Sequence, residues 1–341
     1  MSENKKYYRP IVQVGTARPK GAVRLAAGWG WFTDVEVLVR DGLPQIIPAL
    51  DIPKSILDRL GSERADIANL RMDQPRVMGI LNATPDSFSD GGVHAAAADA
   101  VGAGLRMREA GVDILDIGGE STRPGASTVP IKEEILRTVP VIEGLRAAGV
   151  SSLISIDTRK AAVAQAAVAA GAGLINDVSG FTYDRGLIPV AAKNDLPVCV
   201  MHALGDPATM QQDPRYDNVL LDIYDFLERQ IEALEAGGVA RSRIIADPGI
   251  GFGKTLAQNL TLLARISLFH MLGVPILLGV SRKRFIGTIG GTADVTDRTP
   301  GSIGVAIAGI SQGVQMVRVH DVPETIQAIA LWRAAMAGKQ I

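Results

Sequence analysis

The chain has 341 residues, with apolar residues at 47%, aromatics at 4%, charged residues at 21%, 37 glycines, 18 prolines, one cysteine and a formal net charge of −1. The apolar share excludes a disordered chain, and the near-zero charge removes any whole-molecule attraction to nucleic acid or an anionic membrane. A lone Cys199 can form neither an internal disulfide nor a multi-cysteine zinc site, so a reducing cytoplasm is the expected compartment.

Met1 to Pro10 are polar and charged, with no apolar stretch behind a basic start, so no targeting segment is expected there. Residues 1–72 stand apart from the rest of the chain. Their valines and isoleucines, with Trp29, Trp31 and Phe32, predict an extension containing some β structure, to which no chemistry can be assigned.

From Arg76 onward one phrase repeats: a short aliphatic run ending in polar residues, a Gly/Pro/Ser-rich loop, then an amphipathic segment of helical length. The runs are Val77–Leu81, Ile114–Ile117, Leu153–Ile156, Leu174–Val178, Val198–Met201, Ile244–Ala246, Ile276–Val280 and Met316–Val319. Helical stretches include Ala95–Ala110, Ile131–Ala148, Lys160–Ala170, Val219–Ala236 and Leu256–Leu272. The last helix has a written start, with Asp321 as N-cap, Pro323 in the first turn and Glu324 closing a capping box. Strands this short and this apolar are covered on both faces, and eight β–α phrases predict a (β/α)8 TIM barrel over residues 73–341. A doubly wound open sheet is the competing architecture. The uncharged run between Arg298 and Arg318 is broken by Pro300, Gly301, Gly304 and Gly313, which suits a helix, a turn and a strand rather than a membrane span.

The polar residues fall at the strand ends: Asn82, Glu120, Asp157, Asn176, His202, Asp247, Ser281 with Lys283, and Arg318 with His320. In a barrel these ends meet at one mouth, so residues scattered along the chain would share a pocket. Alternation puts Arg318 and His320 on one face of a strand, and Ser281 and Lys283 on one face of another, with Arg282 pointing away. Such a set can be mere charge balance. The sharper reading gives carboxylates and amides to the N–H-rich edge of a planar heterocycle, and Arg318, Arg123 and His320 to an anion such as phosphate. Two long polar loops, 82–92 and 120–126, exceed what a βα turn needs and suit substrate covers.

Other chemistries are poorly supported. Gly249–Thr255 imitates a Walker loop, but the required first glycine is Pro248. The four histidines have no metal-binding spacing, Cys199 reads as a buried small residue, and His270 as a surface or capping one.

Two loop segments are specific. Val77–Gly92, reading VMGILNATPDSFSDGG, resembles the first signature of the dihydropteroate synthase family, and Asp116–Gly125, reading DIGGESTRPG, its second. The resemblance continues in order through Ser155–Thr158, Ile175–Asp177, Met201–His202, Asp247–Lys254, Ser281–Lys283 and Arg318–Asp321, over roughly residues 76–338. It implies a transferase that joins p-aminobenzoate to 6-hydroxymethyl-7,8-dihydropterin diphosphate, giving 7,8-dihydropteroate and diphosphate, in a family that sulfonamides target. Asp157, Asn176, Asp247 and Lys283 would then bind the pterin, with Met201 also lining the substrate site. Arg318 and His320 would hold the diphosphate, and Asn82 would help hold Mg²⁺ against it. Thr122 and Arg123 would close over the substrates, while Phe88, Pro124, Phe252 and Ser281 would line the p-aminobenzoate site. Asn82, Arg123, Lys283, Arg318 and His320 form the implied catalytic set. The chemistry needs no strong base, since an aromatic amine is already nucleophilic. A homodimer is implied, with the glycine-containing helix after Pro300 as a candidate interface. Alternatives are a pterin-binding methyltransferase, which has no use for a diphosphate site, a non-catalytic pterin-binding paralogue, and a phosphate-sugar barrel. The chain departs from many relatives at Ala203–Leu204–Gly205, where a polar residue often precedes the glycine.

Overall fold

The computed structural model describes residues 5–83, 92–121, 126–205 and 209–339, with the side chains of 92–95 left aside. The chain opens with β1 (Tyr7–Pro10), the short pair β2 (Val23–Arg24) and β3 (Trp31–Phe32), β4 (Asp34–Leu38), β5 (Gln45–Pro48) and α1 (Lys54–Gly61). β1, β4 and β5 form an antiparallel sheet, so the β structure expected of the extension is present.

Eight parallel strands then alternate with helices. In chain order they are β6 (Arg76–Asn82), α2 (Gly92–Glu109), β7 (Ile114–Gly118), α3 (Ile131–Ala147), β8 (Leu153–Asp157), α4 (Ala161–Ala170), β9 (Leu174–Asp177), α5 (Leu187–Lys193) and β10 (Val198–Met201). They continue with α6 (Val219–Ala236), β11 (Ile244–Asp247), α7 (Leu256–Ala264), β12 (Leu277–Gly279), α8 (Arg284–Gly290), α9 (Thr299–Ser311), β13 (Met316–Val319) and α10 (Val322–Ala337). Each strand pairs with its neighbours in sequence order, and β13 returns to β6. The remaining gap between β11 and β12 is joined by a single bridge, Ala246 to Ile276, with Ala246 N donating to Pro275 O at 2.9 Å. The sheet is a closed barrel, not the doubly wound alternative.

Two faces of each strand have two destinations. Outward residues such as Val77, Leu115, Ile156, Val200 and Val317 join the core under the helices. α6 shows how sequence builds that shell: Asn218 caps it by accepting from Leu221 N at 3.2 Å, and Leu220, Ile223, Leu227, Ile231 and Leu234 make its buried stripe. Inward residues Met78, Ile114, Leu174, Cys199, Ile245, Leu277 and Met316 form a second, separate core inside the barrel. Ile67, Leu70 and Met72 pack beneath it as a floor, Ile67 and Leu70 being held by a tight turn through Ala68 and Asn69. Cys199 is thus a buried packing residue, as its sequence context indicates.

The extension is fused to this shell. Tyr7, Leu25, Phe32 and Val35 belong to the same hydrophobic core as the barrel's outer face. Ile266–Leu272 is a fully buried 3-10 segment whose last carbonyls, of His270, Met271 and Leu272, accept from Arg64, Arg59 and Arg241. A helix C-terminus welcomes cations, and two of the three come from the extension.

Three local expectations are overturned. The helix over 256–272 breaks at Arg265 (φ −127°), whose guanidinium turns to Glu36 of the extension at 3.2 Å. His270 is fully buried rather than on the surface; it bonds Gln312 O at 3.1 Å, and burial, with the charge of Arg64, pushes its pKa down to about 3. Asp321 occupies the N-cap of α10 but makes no side-chain cap, because Arg282 takes its carboxylate, with Nε at 3.1 Å. The capping box is found instead at α7, between Thr255 and Gln258. The uncharged run resolves into α9, a turn and β13, and among the described residues no helix is long and apolar enough to cross a membrane.

Candidate active site

The inward positions change character along the barrel axis. Below lie Met78, Ile114, Leu174 and Met316; two residues further along the same strands lie Ile80, Asp116, Asn176 and Arg318. Across the top of the sheet, Asn82, Gly118, Asp157 and Asn176 stand opposite one another in four neighbouring strands. Met201 is opposite Asp247, and Gly279 opposite Arg318. Parallel register therefore carries most of the predicted polar set to one end of the barrel.

Arg318 is held by two acids. Its Nε donates to Asp116 Oδ2 at 2.6 Å and its outer Nη2 to Asp157 Oδ2 at 2.7 Å. Asn176 Nδ2 donates to the same Asp116 oxygen at 3.1 Å. Asp247 accepts from Gly249 N at 2.7 Å. The Lys283 ammonium donates to Ile250 O and lies 4.6 Å over the Phe252 ring. Gly279 makes room between these groups: a Cβ there would stand 3.8 Å from Asp247 Oδ2 and 3.9 Å from both Arg318 Cβ and Lys283 Nζ.

Three buried oxygens here have no hydrogen-bond partner: Asp116 Oδ1, Asp157 Oδ1 and Ser155 Oγ. Native interiors rarely leave such groups unpaired, so three together mark a place where a ligand's donors belong. Burial pushes Asp157 up to about 7 against the pull of Arg318, with Asp116 adding to the rise. Asp247 is also raised by burial, opposed by Lys283. Burial lowers Lys283 to about 8 although Asp247 supports its charge. Arg318 stays charged, since its carboxylates outweigh its desolvation. A polar cup with poised charges of both signs is a place for a polar planar ligand carrying an anion.

The rim comes from the last two strands. Ser281 is buried, and its Oγ lies 3.0 Å from His320 Nδ1 and accepts from His320 N at 3.1 Å. β12 has already ended at Gly279, so the predicted strand alternation of Ser281 and Lys283 does not apply: Arg282 turns through a positive φ of 58°, and Lys283 becomes the N-cap of α8. In the loop after β11, Gly249 (φ 67°) is obligatory, because a Cβ would meet His202 O at 1.9 Å. Lys254 is folded inward, donating to Gly249 O at 2.7 Å and Phe252 O at 2.9 Å. This lysine staples its own loop, consistent with the rejected Walker reading.

Two strand-end residues do not belong to the mouth. Glu120 is buried against Arg159 (2.8 Å) and Lys160 (2.7 Å), which keep its carboxyl below its ordinary value despite burial. His202 packs edge-on against Phe226, with ring centroids 4.8 Å apart, and its Nδ1 is 3.0 Å from Lys254 Nζ. Burial and that cation hold it far below the ordinary imidazole pKa. Thr122, Arg123, Phe88 and Pro124 lie outside the described residues. Asp116 and Ser155 were not singled out from sequence; the signal was a carboxylate at an inward position of the otherwise apolar Ile114–Ile117.

The matches to known proteins agree with this geometry. Residues 78–320 match the family described as "Pterin binding enzyme". The dihydropteroate synthase of Escherichia coli is 43% identical over 272 residues, covering 80% of this chain and 95% of that protein. The chain belongs to the dihydropteroate synthase family. The synthase of Synechocystis is 45% identical over 261 residues, 75% of this chain and 90% of that one. Among solved structures, Xanthomonas albilineans dihydropteroate synthase with 4-aminobenzoic acid superposes with a TM-score of 0.75 at 46% identity, covering 80% of this chain and 98% of that one. The same enzyme in complex with 7,8-dihydropteroate gives 0.72 at 43% identity, covering 80% and 99%. A dihydropteroate synthase barrel must seat a flat bicyclic ring and neutralise a leaving diphosphate, and the polar cup offers acceptors at depth with cations beside them.

Proposed function

We propose that this barrel mouth condenses p-aminobenzoate with 6-hydroxymethyl-7,8-dihydropterin diphosphate, releasing diphosphate and forming 7,8-dihydropteroate. The observation that carries this reading is the trio of unpartnered buried oxygens on Asp116, Asp157 and Ser155 beside Arg318. A pterin's amino and ring N–H groups supply the donors those oxygens lack, with Asn176 and Asp247 continuing the acceptor surface and Met201 beside Asp247. Gly118 and Gly279 leave the space a ring needs.

Charge then governs the chemistry. The pterin ring can stabilise positive charge on its exocyclic carbon, so the protein's task is to draw off diphosphate. Arg318 and His320 take the anion, and Lys283, charged below about pH 8, holds the ring nearby. The family resemblance assigns Arg123 and Thr122, which lie outside the described residues, to substrate binding. Phe252 and Ser281 line the side from which the amine attacks; Phe88 and Pro124, outside the described residues, are assigned there by the family resemblance alone. Asn82 offers one amide oxygen at the end of β6, and among the described residues no three acidic, His or Cys side chains are placed to hold a metal ion. That donor set fits Mg²⁺ held by one protein oxygen and the substrate's own phosphates. When bound, the ion would neutralise charge on the departing diphosphate.

The chain would act in the cytoplasm as a homodimer. The outer face of α9, from Pro300 through Gly304 to Ala308, is uncharged and supports a helix-on-helix contact. Sedimentation of the protein against Gly304→Arg tests it. The decisive assay is dihydropteroate formation with and without Mg²⁺. Product only with the ion is expected; binding of the pterin without product would leave a non-catalytic pterin-binding role.

A further inference from the structure

Asp116 is fully buried on β7, inside the barrel, where it forms one wall of the cup. Its Oδ2 accepts from both Asn176 Nδ2 (3.1 Å) and Arg318 Nε (2.6 Å). A carboxylate can only accept, so the first contact fixes which way the Asn176 amide faces: nitrogen toward Asp116, carbonyl oxygen left for a ligand's N–H. The second contact pins Arg318 at its inner nitrogen, leaving the outer nitrogens to reach outward; Nη2 now rests on Asp157. Charge balance alone does not account for Asp116. Asp157 already pairs with Arg318, and burying a second carboxylate is costly unless its position does something.

We propose that Asp116 is a positioning residue that couples the two halves of the site, setting Asn176 as an acceptor toward the pterin and bracing Arg318 toward the diphosphate through one shared oxygen. Resting on the reaction proposed above, this makes pterin recognition and leaving-group stabilisation interdependent: as the ring's donors arrive at Asp157, the outer guanidinium nitrogen transfers its bond to the diphosphate while Nε stays with Asp116.

The test is Asp116→Asn, nearly isosteric but able to donate as well as accept. Steady-state kinetics should show kcat lowered about ten- to a hundredfold and the KM for p-aminobenzoate changed less than about twofold. Calorimetry with 6-hydroxymethylpterin, which has no diphosphate, should show affinity about tenfold weaker. Because Asp116 acts through Arg318, the kcat effect should shrink below about threefold when Asp116→Asn is added to Arg318→Met. Wild-type kcat and pterin affinity in the folded variant, a comparable rise in the p-aminobenzoate KM, or full additivity with Arg318→Met would each overturn the proposal. If Asp116→Asn alone does not fold, pterin calorimetry on Arg318→Met against the double variant tests the Asn176 contact, with about tenfold weaker affinity expected in the double variant and equal affinities overturning the proposal. If the wild-type protein makes no dihydropteroate, the reaction assignment fails, and the pterin calorimetry alone decides the role of Asp116.

Discussion

Two clusters of buried charge draw on the same two strands, β7 and β8, at one end of the barrel, and they are built to different standards. In the first, Lys160 spends its three ammonium hydrogens on Glu120, Glu134 and Val129 O. Glu120 also accepts from Arg159 and Val129 N, and Glu134 from Thr158. None of these side chains is left with an unpaired buried atom. In the second, Asp116, Ser155 and Asp157 each leave an oxygen unpaired, although Arg318 and Asn176 are within reach. The first cluster is complete without a ligand and anchors the chain after the second loop. The second is complete only when a ligand brings donors. Between these two clusters, burial and charge do not separate scaffold from site; the gathering of three unpaired oxygens in one cup does.

The largest effect should come from breaking the satisfied cluster. Lys160→Met leaves buried Glu134 without its cation and Glu120 with Arg159 alone, and is expected to cost about 3–5 kcal/mol of stability, read by denaturant unfolding, with turnover per folded molecule nearly intact. The reverse pattern is expected at the second cluster. Arg318→Ala should lower kcat by about 10²–10³ while weakening pterin binding much less; equal losses in turnover and affinity would show that the arginine serves the ring rather than the leaving group.

A milder difference should appear with pH. Asp157 titrates near 7 when folded, well above its ordinary value, so its ionisation opposes folding: the apo-protein should lose stability as pH rises from about 4 to 7. Asp157→Asn should flatten that slope in thermal melts. Pterin affinity should run the other way, rising through about 7 as the carboxylate forms and declining past about 8 as Lys283 loses its proton. Smallest of all, Gly279→Ala meets only ordinary van der Waals contacts, so Tm should hold while pterin affinity falls about tenfold, the new methyl taking ligand space.

Most of the barrel could be read from the chain, because a parallel strand buried on both sides must be short and aliphatic, and eight such runs leave few ways to close. Asp157, Asn176, Asp247 and Arg318 were legible for a related reason: a polar group that breaks an apolar run at its end has nowhere to point but the mouth. Glu120 and His202 satisfied the same pattern and point elsewhere. Each lies just beyond its strand, where alternation no longer fixes direction and a nearby Lys160 or Lys254 claims the side chain. Asp116 was hidden by the opposite fault, since it lies inside a strand and its partner Arg318 is 202 residues away. The break at Arg265 depended on Glu36, again a distant contact that no local pattern records.

The floor of the barrel has a consequence for how the chain is made. Ile67, Leu70 and Met72 leave the ribosome before any of the eight strands they will seal, and β13, the strand that joins β6 and closes the wall above them, is made last. For most of synthesis the stopper exists without its bottle. The rest of the extension emerges earlier still, and it meets its own anchors, Asp222, Asp225 and the 3-10 segment Ile266–Leu272, only late in translation. Residues 1–72 therefore wait on segments more than 150 residues further along the chain before either has a finished surface.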